Sequence, residues 1–181
     1  MKDRRSEITR ALHPLNSERS IAAARLLGYP FMCCHTAADN NVNAYLQRRC
    51  DELGEDGTVD DLLAMLKNIP EFRQAVLHGL GPTIFQGDGE ARTGRIMVDM
   101  TGGTSGPVES LSKLAAAGVG TILGMHMGED HRKKAKDEHL NVVIAGHAAS
   151  DSLGMNLIID EYERQGVDIL ACSGFTRVSR T

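Results

Sequence analysis

The sequence predicts an α/β protein with a mostly parallel β-sheet flanked by helices and a helical linker between two βα portions. After residue 95, short apolar runs alternate with helical segments of about ten to fifteen residues, which is typical of βα units. With no Trp, three Tyr and four Phe, the core must consist of smaller aliphatic side chains, as suits strands covered on both faces. The 181 residues are enough for one domain of ordinary size, and we assign residues 1–181 to it.

Charge and composition restrict the partners and the compartment. The net charge of −4 gives no reason to expect a nucleic-acid or anionic-membrane surface. No apolar run approaches the roughly 20 residues that a membrane-spanning helix needs. The charged start MKDRRSEITR lacks the apolar segment of a secretory signal, so we expect a cytoplasmic protein. The four cysteines show no CxxC spacing, so we expect them to be reduced.

The first elements are a helix, a short strand and a second helix. The run SERSIAAARLL predicts the first helix, which Gly28 ends. The apolar run YPFMCC then predicts a strand that stops at His35. Asp39 or Asn40 is expected to cap the helix that follows. These residues therefore predict a strand–turn–helix unit.

Residues 54–93 differ from this pattern and predict a helical insertion. Thr58 is a good cap for the helix DDLLAMLKNI, and Pro70 suits the first position of the helix that continues with EFRQAVLHG. The glycines of GLGP and QGDGEARTG follow and indicate turns. We therefore interpret this stretch as a helical linker between the two βα portions.

From residue 95 onward, the apolar runs IMVDM, VGTILGM, NVVIAG and VDILAC predict four strands. In open parallel sheets, ligands bind beyond the carboxyl ends of the strands, so the residues after each run are the informative ones. Polar segments rich in His, Asp, Glu, Gly, Ser or Thr occur at four predicted strand ends: CCHTAADN, DMTGGTSG, GMHMGEDH and AGHAASD. Their common edge of the sheet is therefore the predicted site.

Two of these segments share a His-x-x-x-Asp spacing, in the pairs His35/Asp39 and His147/Asp151. Imidazole and carboxylate groups suit a divalent metal such as zinc, manganese or iron. A single pair is explained more simply as a histidine beside a helix-capping aspartate. Because the same arrangement occurs at two strand ends, we favour a metal site with these four ligands.

Two further groups of residues are candidates for the same site. The loop Thr101, Gly102, Gly103, Thr104 and Ser105 precedes a predicted helix, where backbone N–H groups bind phosphate; a plain tight turn is an equally good explanation. The candidate catalytic residues follow TILG and are His126, Glu129 and His131. They could hold the metal ligands in place, serve as extra ligands, or transfer protons.

In their order along the chain, HTAAD, the glycine loop, the His-bearing segment after TILG and GHAASD resemble the GTP cyclohydrolase type 2 homologue family, also called NIF-three-like. The resemblance implies an α/β fold with two metal ions in an internal cleft and assembly into toroidal hexamers. It implies that His35 and Asp39 form one ligand pair, with the aspartate bridging the metals, and that His147 is a further ligand. Asp151 stands where the family more often has glutamate.

The resemblance also implies a departure and a function. The family has an upstream His-His motif, and none precedes His35, so we expect an N-terminally shortened member. We expect one or two divalent metal ions per chain, a homo-oligomer, and metal-dependent hydrolysis of a small-molecule substrate, with a phosphate-containing compound as one option. The alternative is a metal-binding regulatory or interaction protein without turnover.

Overall fold

A computed structural model describes residues 18–103 and 105–181. The chain divides into two compact units, residues 1–34 and 35–181. In the described part of the first unit, helix α1 (Arg19–Leu27) ends at Gly28, whose left-handed φ of 70° closes the last turn as predicted. The predicted strand YPFMCC is wrong, because residues 29–34 form no strand. Pro30 cannot donate to a sheet, and the described residues of this unit include no strand that could pair with the run.

The second unit is a four-stranded sheet with helices on both faces. Its strands are β1 (Thr83–Gln86), β2 (Arg95–Asp99), β3 (Val119–Gly124) and β4 (Asn141–Ile144). Its described helices are α2 (His35–Leu53), α3 (Val59–Lys67), α4 (Pro70–Leu77), α5 (Ser110–Ala116), α6 (Glu129–Asp137) and α7 (His147–Arg164). None of the helices in the described part of the chain has the length and apolar character needed to cross a membrane.

The order of the strands across the sheet is β1-β4-β3-β2. Strand β3 runs parallel to both β2 and β4, so the mostly parallel sheet predicted from the sequence is confirmed. Only β1 is antiparallel, to its neighbour β4. The carboxyl ends of β2, β3 and β4 therefore meet at one edge, which is where the sequence predicts the site.

Residues 54–93 contain the two predicted helices and also a strand that the sequence analysis does not predict. Thr58 caps α3 in a capping box with Asp61, and Pro70 occupies the first turn of α4, as expected. Strand β1 then adds to the sheet along β4. The predicted strand VDILAC is wrong, because the chain forms no strand after α7 and Leu170 is 90% exposed.

Alternating side chains of the strands fill a core on each face of the sheet. Ile96 and Val98 face α2, α3, α4 and α7, whereas Met97 faces α5 and α6. The first core includes Val42, Leu46, Leu62, Leu66, Phe72, Leu123 and Leu153. The second includes Leu111, Val119, Ile122, Ala135 and Val142. Because helices cover both faces, polar residues at the strand ends lie at the rim of the sheet.

Side-chain amides of α2 bond to the free edge of β2. The Gln47 amide donates to the carbonyl oxygen of Ile96 at 3.2 Å and accepts from the N–H of Val98 at 3.1 Å. The Asn43 side-chain oxygen accepts from the N–H of Met100 at 3.1 Å. These bonds replace part of a missing neighbouring strand and protect an edge that is otherwise open to pairing. They also fix α2 against the end of β2.

Helices α2 and α7 pack closely because Gly154 has no side chain. A Cβ at Gly154 would lie 2.4 Å from the carbonyl oxygen of Ala38, which is far closer than real contacts allow. Both residues are buried, so the two backbones touch at this point. The contact brings the beginning of α2 close to α7.

Candidate functional site

The two His-x-x-x-Asp pairs lie on the first turns of α2 and α7. His35 is the first residue of α2, and its Nε2 is 3.5 Å from Oδ2 of Asp39. His147 is the first residue of α7, and its Nε2 is 3.7 Å from Oδ2 of Asp151. In a helix, residues four apart share a face, so each pair presents an imidazole and a carboxylate together.

The predicted strand end is found before one pair only. His147 follows strand β4 directly, as predicted. For His35 the prediction is wrong on two points, since residues 29–34 before it form no strand and Asp39 lies inside α2 instead of capping it. The i, i+4 spacing in a helix brings the imidazole and the carboxylate together in the same way, although the predicted strand is absent.

The two pairs lie close enough to influence each other. Burial raises the pKa of Asp151, the nearby His147 lowers it, and the carboxylate of Asp39 raises it again. His35 makes a further, smaller contribution to the same pKa. The four side chains therefore form one electrostatic group between α2 and α7, although residues 39 and 147 are far apart in the sequence.

Asp39 is the most buried member of this group, with 9% of the residue exposed. Its Oδ2 accepts a hydrogen bond from the backbone N–H of Gly102 at 3.0 Å. Its Oδ1 is buried and has no hydrogen-bond partner among the described residues. A buried carboxylate oxygen without a partner carries a large desolvation cost, which a bound cation would offset.

The donor atoms of each pair have the spacing of two ligands on one ion. For a tetrahedral zinc ion with bonds of about 2.1 Å, neighbouring ligand atoms are about 3.4 Å apart. The nitrogen–oxygen distances of 3.5 and 3.7 Å are close to that value. Across residues 18–103 and 105–181, however, no three His, Cys, Asp or Glu side chains converge on a common point. The arrangement thus consists of two neighbouring half-sites, each with chemistry that fits a divalent metal.

The three predicted catalytic residues have different surroundings. The ring of His126 stacks on that of His147, with centroids 5.2 Å apart and an angle of 28° between the planes. His131 donates from Nε2 to the carbonyl oxygen of Gly106 at 2.8 Å. Glu129 pairs with Arg132, whose hydrogen bonds lower the pKa of the glutamate. Of the three, His126 is thus the one that touches a candidate ligand.

The glycine loop contacts the first half-site through Gly102. Its N–H donates to Asp39, so this donor holds a carboxylate of the protein itself. A Cβ at Gly102 would lie 2.5 Å from Nε2 of His35, so a side chain here would displace the imidazole. Thr101 donates its hydroxyl to Asp99 at 2.7 Å. Gly103 has a left-handed φ of 90°, Ser105 is half-buried, and Thr104 lies outside the described residues.

A pocket of about 320 Å³ lies over this half-site. It is lined by His35, Asp39, Asn43, Thr101 and Gly102, among others. The sequence analysis misses Asn43 and Gly154, which position the two helices. A glycine inside the apolar pattern of α7 is the one signal that indicates such a close helix contact.

Among the comparisons with known proteins, one solved structure shares the fold. No protein-family model matches the chain, and no curated protein matches it. The crystal structure of a NIF3 superfamily protein from Sphaerobacter thermophilus matches with a TM-score of 0.69 and 24% identity, over 93% of this chain and 65% of that one. The crystal structure of Staphylococcus aureus protein SA1388 matches with a TM-score of 0.40 and 16% identity, over 62% and 30% of the two chains.

The first of these likenesses shows that the chain has a NIF3-like fold, as the sequence resemblance implied. The chain spans 65% of the length of that protein.

Proposed function

We propose that this chain is a divalent-metal-binding protein and a metal-dependent hydrolase of a small molecule. The observation that carries the proposal is the pair of neighbouring half-sites on α2 and α7, with the unpartnered Oδ1 of Asp39 buried at one of them. The NIF3-like fold supports it, because the sequence resemblance to NIF-three-like proteins rests on the same segments.

His35, Asp39, His147 and Asp151 would hold the metal. When bound, a divalent ion supplies a water of lowered pKa and polarises a carbonyl or phosphoryl oxygen. Gly102 orients Asp39 through its N–H, and a donor of this kind fixes a ligand and tunes its basicity. The His126 ring, which stacks on His147, is positioned to take up or deliver a proton beside the site.

We assign the glycine loop to the part of the substrate that carries an anionic group, such as a phosphate. The loop borders the His35–Asp39 half-site in the pocket of about 320 Å³. Because the Gly102 N–H is taken by Asp39, the bound metal would supply the positive charge for an anionic group there. His131 supports this loop through its bond to Gly106, and Glu129 anchors the start of α6 through Arg132.

A second candidate function is metal binding without turnover, in regulation or in interaction with another protein. One observation favours it: the described side chains do not converge into a group of three, which is the number of protein ligands that a catalytic zinc ion usually has. Both candidates predict a bound metal, and they differ only in turnover.

Metal content per chain tests what the two candidates share. Purified protein loaded with zinc, manganese or iron and then desalted is expected to retain metal, whereas a His35→Ala/His147→Ala variant is expected to lose most of it. The control is His139→Asn, which removes an exposed histidine and keeps a residue that tolerates its left-handed φ of 58°. Equal metal in wild type and the double variant would refute the site.

Turnover separates the candidates. The metal-loaded and metal-free proteins are assayed against nucleotides and phosphoesters, and the hydrolase proposal expects activity only with metal. A His126→Gln variant is expected to bind metal normally and to hydrolyse more slowly, because it lacks the titratable ring. If the protein binds metal but hydrolyses none of these compounds, the hydrolase proposal is rejected and the regulatory function remains.

We also propose that the protein acts as a homo-oligomer, as the resemblance implies. Exposed apolar side chains on the second unit, Leu77, Leu80 and Leu170, support this assembly. Light scattering after size-exclusion chromatography should give a mass of several chains; a mass of one chain at all concentrations would contradict the assembly.

A further inference from the structure

A pocket of about 670 Å³ lies between α4, the beginning of α7 and residues 174–176 of the C-terminal segment. This volume is within the range of about 300–1,000 Å³ that is usual for small-molecule sites. Five of the residues that line it are apolar: Ala75, Leu80, Ala148, Ala149 and Phe175. The pocket therefore has both the size and the surface of a small-molecule site.

The charges around this pocket are already neutralised. Glu71 lines it, but its buried carboxylate accepts from Arg180 at 2.7 and 2.9 Å and from the amide of Asn156 at 2.8 Å. No lysine or arginine is among the lining residues, and the two histidines there are His78 and the candidate metal ligand His147. Apart from these imidazoles, a phosphate or carboxylate in the pocket would meet only neutral or already paired groups, so the loss of its water would be unfavourable. An uncharged group suffers no such cost.

The C-terminal wall of the pocket is held in place by several bonds. Asn156 donates to the carbonyl oxygen of Thr176 at 2.8 Å. Arg180 bonds to Glu71, and Arg177 pairs with Asp160 at 2.7 Å. The wall is therefore formed before any ligand binds, which lowers the entropy cost of binding.

His147 joins this pocket to the candidate metal site. It lines the pocket and also forms the second half-site with Asp151. A molecule that fills the pocket therefore lies next to a candidate metal ligand, and no residue of the glycine loop is among the lining residues.

We infer that this pocket binds the uncharged, mainly apolar organic group of the substrate, such as an aromatic or heteroaromatic ring, and directs the bond to be hydrolysed toward the half-sites. The assignment of the occupant as substrate rests on the proposed hydrolase function. An anionic group of the same substrate is then left to the glycine loop.

Fluorescence titration with N-phenyl-1-naphthylamine, a neutral aromatic probe, tests the pocket without an activity assay. The full-length protein should bind one probe per chain. Ala148→Phe and Ala75→Phe each place a ring in the pocket, one from each side, and should weaken binding by about tenfold or more. Ala116→Phe is the matched control, because it adds the same ring at an exposed helical alanine outside the pocket and should leave binding unchanged.

Three results would overturn the inference: no saturable probe binding to the wild type, equal affinity in both pocket variants and the wild type, or displacement of the probe by millimolar inorganic phosphate. Metal content is measured on the same samples. If the metal proposal is wrong, the wild type will contain no metal but will still bind the probe. If the pocket inference is wrong, the metal content will be normal but probe binding will not depend on the pocket residues.

Discussion

At the scale of single residues, Gly102 controls the first half-site because it leaves room for the His35 imidazole. A Gly102→Ala substitution places a Cβ 2.5 Å from Nε2 of His35, and the mobile, exposed end of that side chain can turn away. We expect the fold to survive, with about 1 kcal/mol of destabilisation. Metal content should fall, because His35 no longer stands beside Asp39.

The control for this prediction is Gly106→Ala, where the added methyl group meets only a contact at 3.9 Å. Metal content and melting temperature are measured for both variants. If Gly102→Ala retained the metal of the wild type, the role assigned to His35 would be contradicted.

Cys50 gives a residue-scale prediction that depends on pH. Burial, together with the nearby Asp51, raises the pKa of the Cys50 thiol to about 12. At pH 8 only about one molecule in ten thousand carries the reactive thiolate. Iodoacetamide at pH 8 should therefore modify exposed Cys172 and spare Cys50 until the protein is unfolded in guanidinium. Peptide mapping after timed labelling checks this, and equal rates at both cysteines in the native protein would exclude the buried setting.

At the scale of elements, the sequence predicted those strands whose apolar runs are buried on both faces. IMVDM, VGTILGM and NVVIAG correspond to β2, β3 and β4, with β2 beginning one residue earlier at Arg95. YPFMCC and VDILAC have similar composition but find no partner strand in the described chain, and apolar composition alone does not reveal pairing. Strand β1 was missed for the opposite reason: its four residues, TIFQ, are too short to show a pattern and form a strand only by pairing with β4.

The contact between α2 and α7 predicts a large effect of Gly154→Ala. The new Cβ would lie 2.4 Å from the backbone oxygen of Ala38, and backbone cannot move aside as a flexible side chain can. The overpacking should outweigh the gain of about 1 kcal/mol from a better helix former, for a net loss of about 2 kcal/mol. The melting temperature should then drop by roughly 4–8 °C.

Gly106→Ala, with its open surroundings, is again the control, and its melting temperature should not fall. Calorimetry of both variants provides the comparison. A Gly154→Ala protein as stable as the wild type would show that the two helices do not depend on this close approach.

The ion pair between Arg180 and Glu71 ties the C-terminal segment to α4. Glu71 is fully buried, so Arg180→Ala leaves a buried carboxylate with only the Asn156 amide as partner. We expect a loss of about 3 kcal/mol, because one member of a buried pair has been removed. The exposed pair of Arg164 and Glu161 is the matched control, and Arg164→Ala should cost no more than about 0.5 kcal/mol. Urea unfolding of both variants measures the difference, and equal free energies of unfolding would contradict it.

At the scale of the whole molecule, the candidate site depends on a contact that the sequence does not encode locally. The spacing of His35 and Asp39, and of His147 and Asp151, was enough to identify the four side chains. Their meeting depends on α2 and α7 packing together through Gly154, and on the Asn43 and Gln47 amides that hold α2 against β2. The amide bonds join residues 57 and 49 positions apart, and the Gly154–Ala38 contact joins residues much farther apart, which is why the half-sites could be predicted but their approach to each other could not.

Because the two half-sites belong to different helices, a metal bound at either or both stabilises the folded chain relative to the unfolded one. At a concentration of one hundred times the dissociation constant, the gain is about 2.7 kcal/mol. This corresponds to a rise in melting temperature of roughly 5–10 °C. Manganese is the better probe, since carboxylate and imidazole ligands bind it while the thiols of the unfolded chain favour zinc.

Thermal unfolding of the full chain is therefore measured with manganese, with chelator, and with manganese followed by chelator. The wild type should gain stability with the ion and lose it on chelation, and His139→Asn should behave in the same way. The His35→Ala/His147→Ala variant should melt at one temperature under all three conditions, because it keeps the helices but not their imidazoles. If the variant still gained the full stabilisation, the ion would bind elsewhere in the chain. The two His–Asp pairs would then be ordinary ion pairs within their helices and not metal ligands.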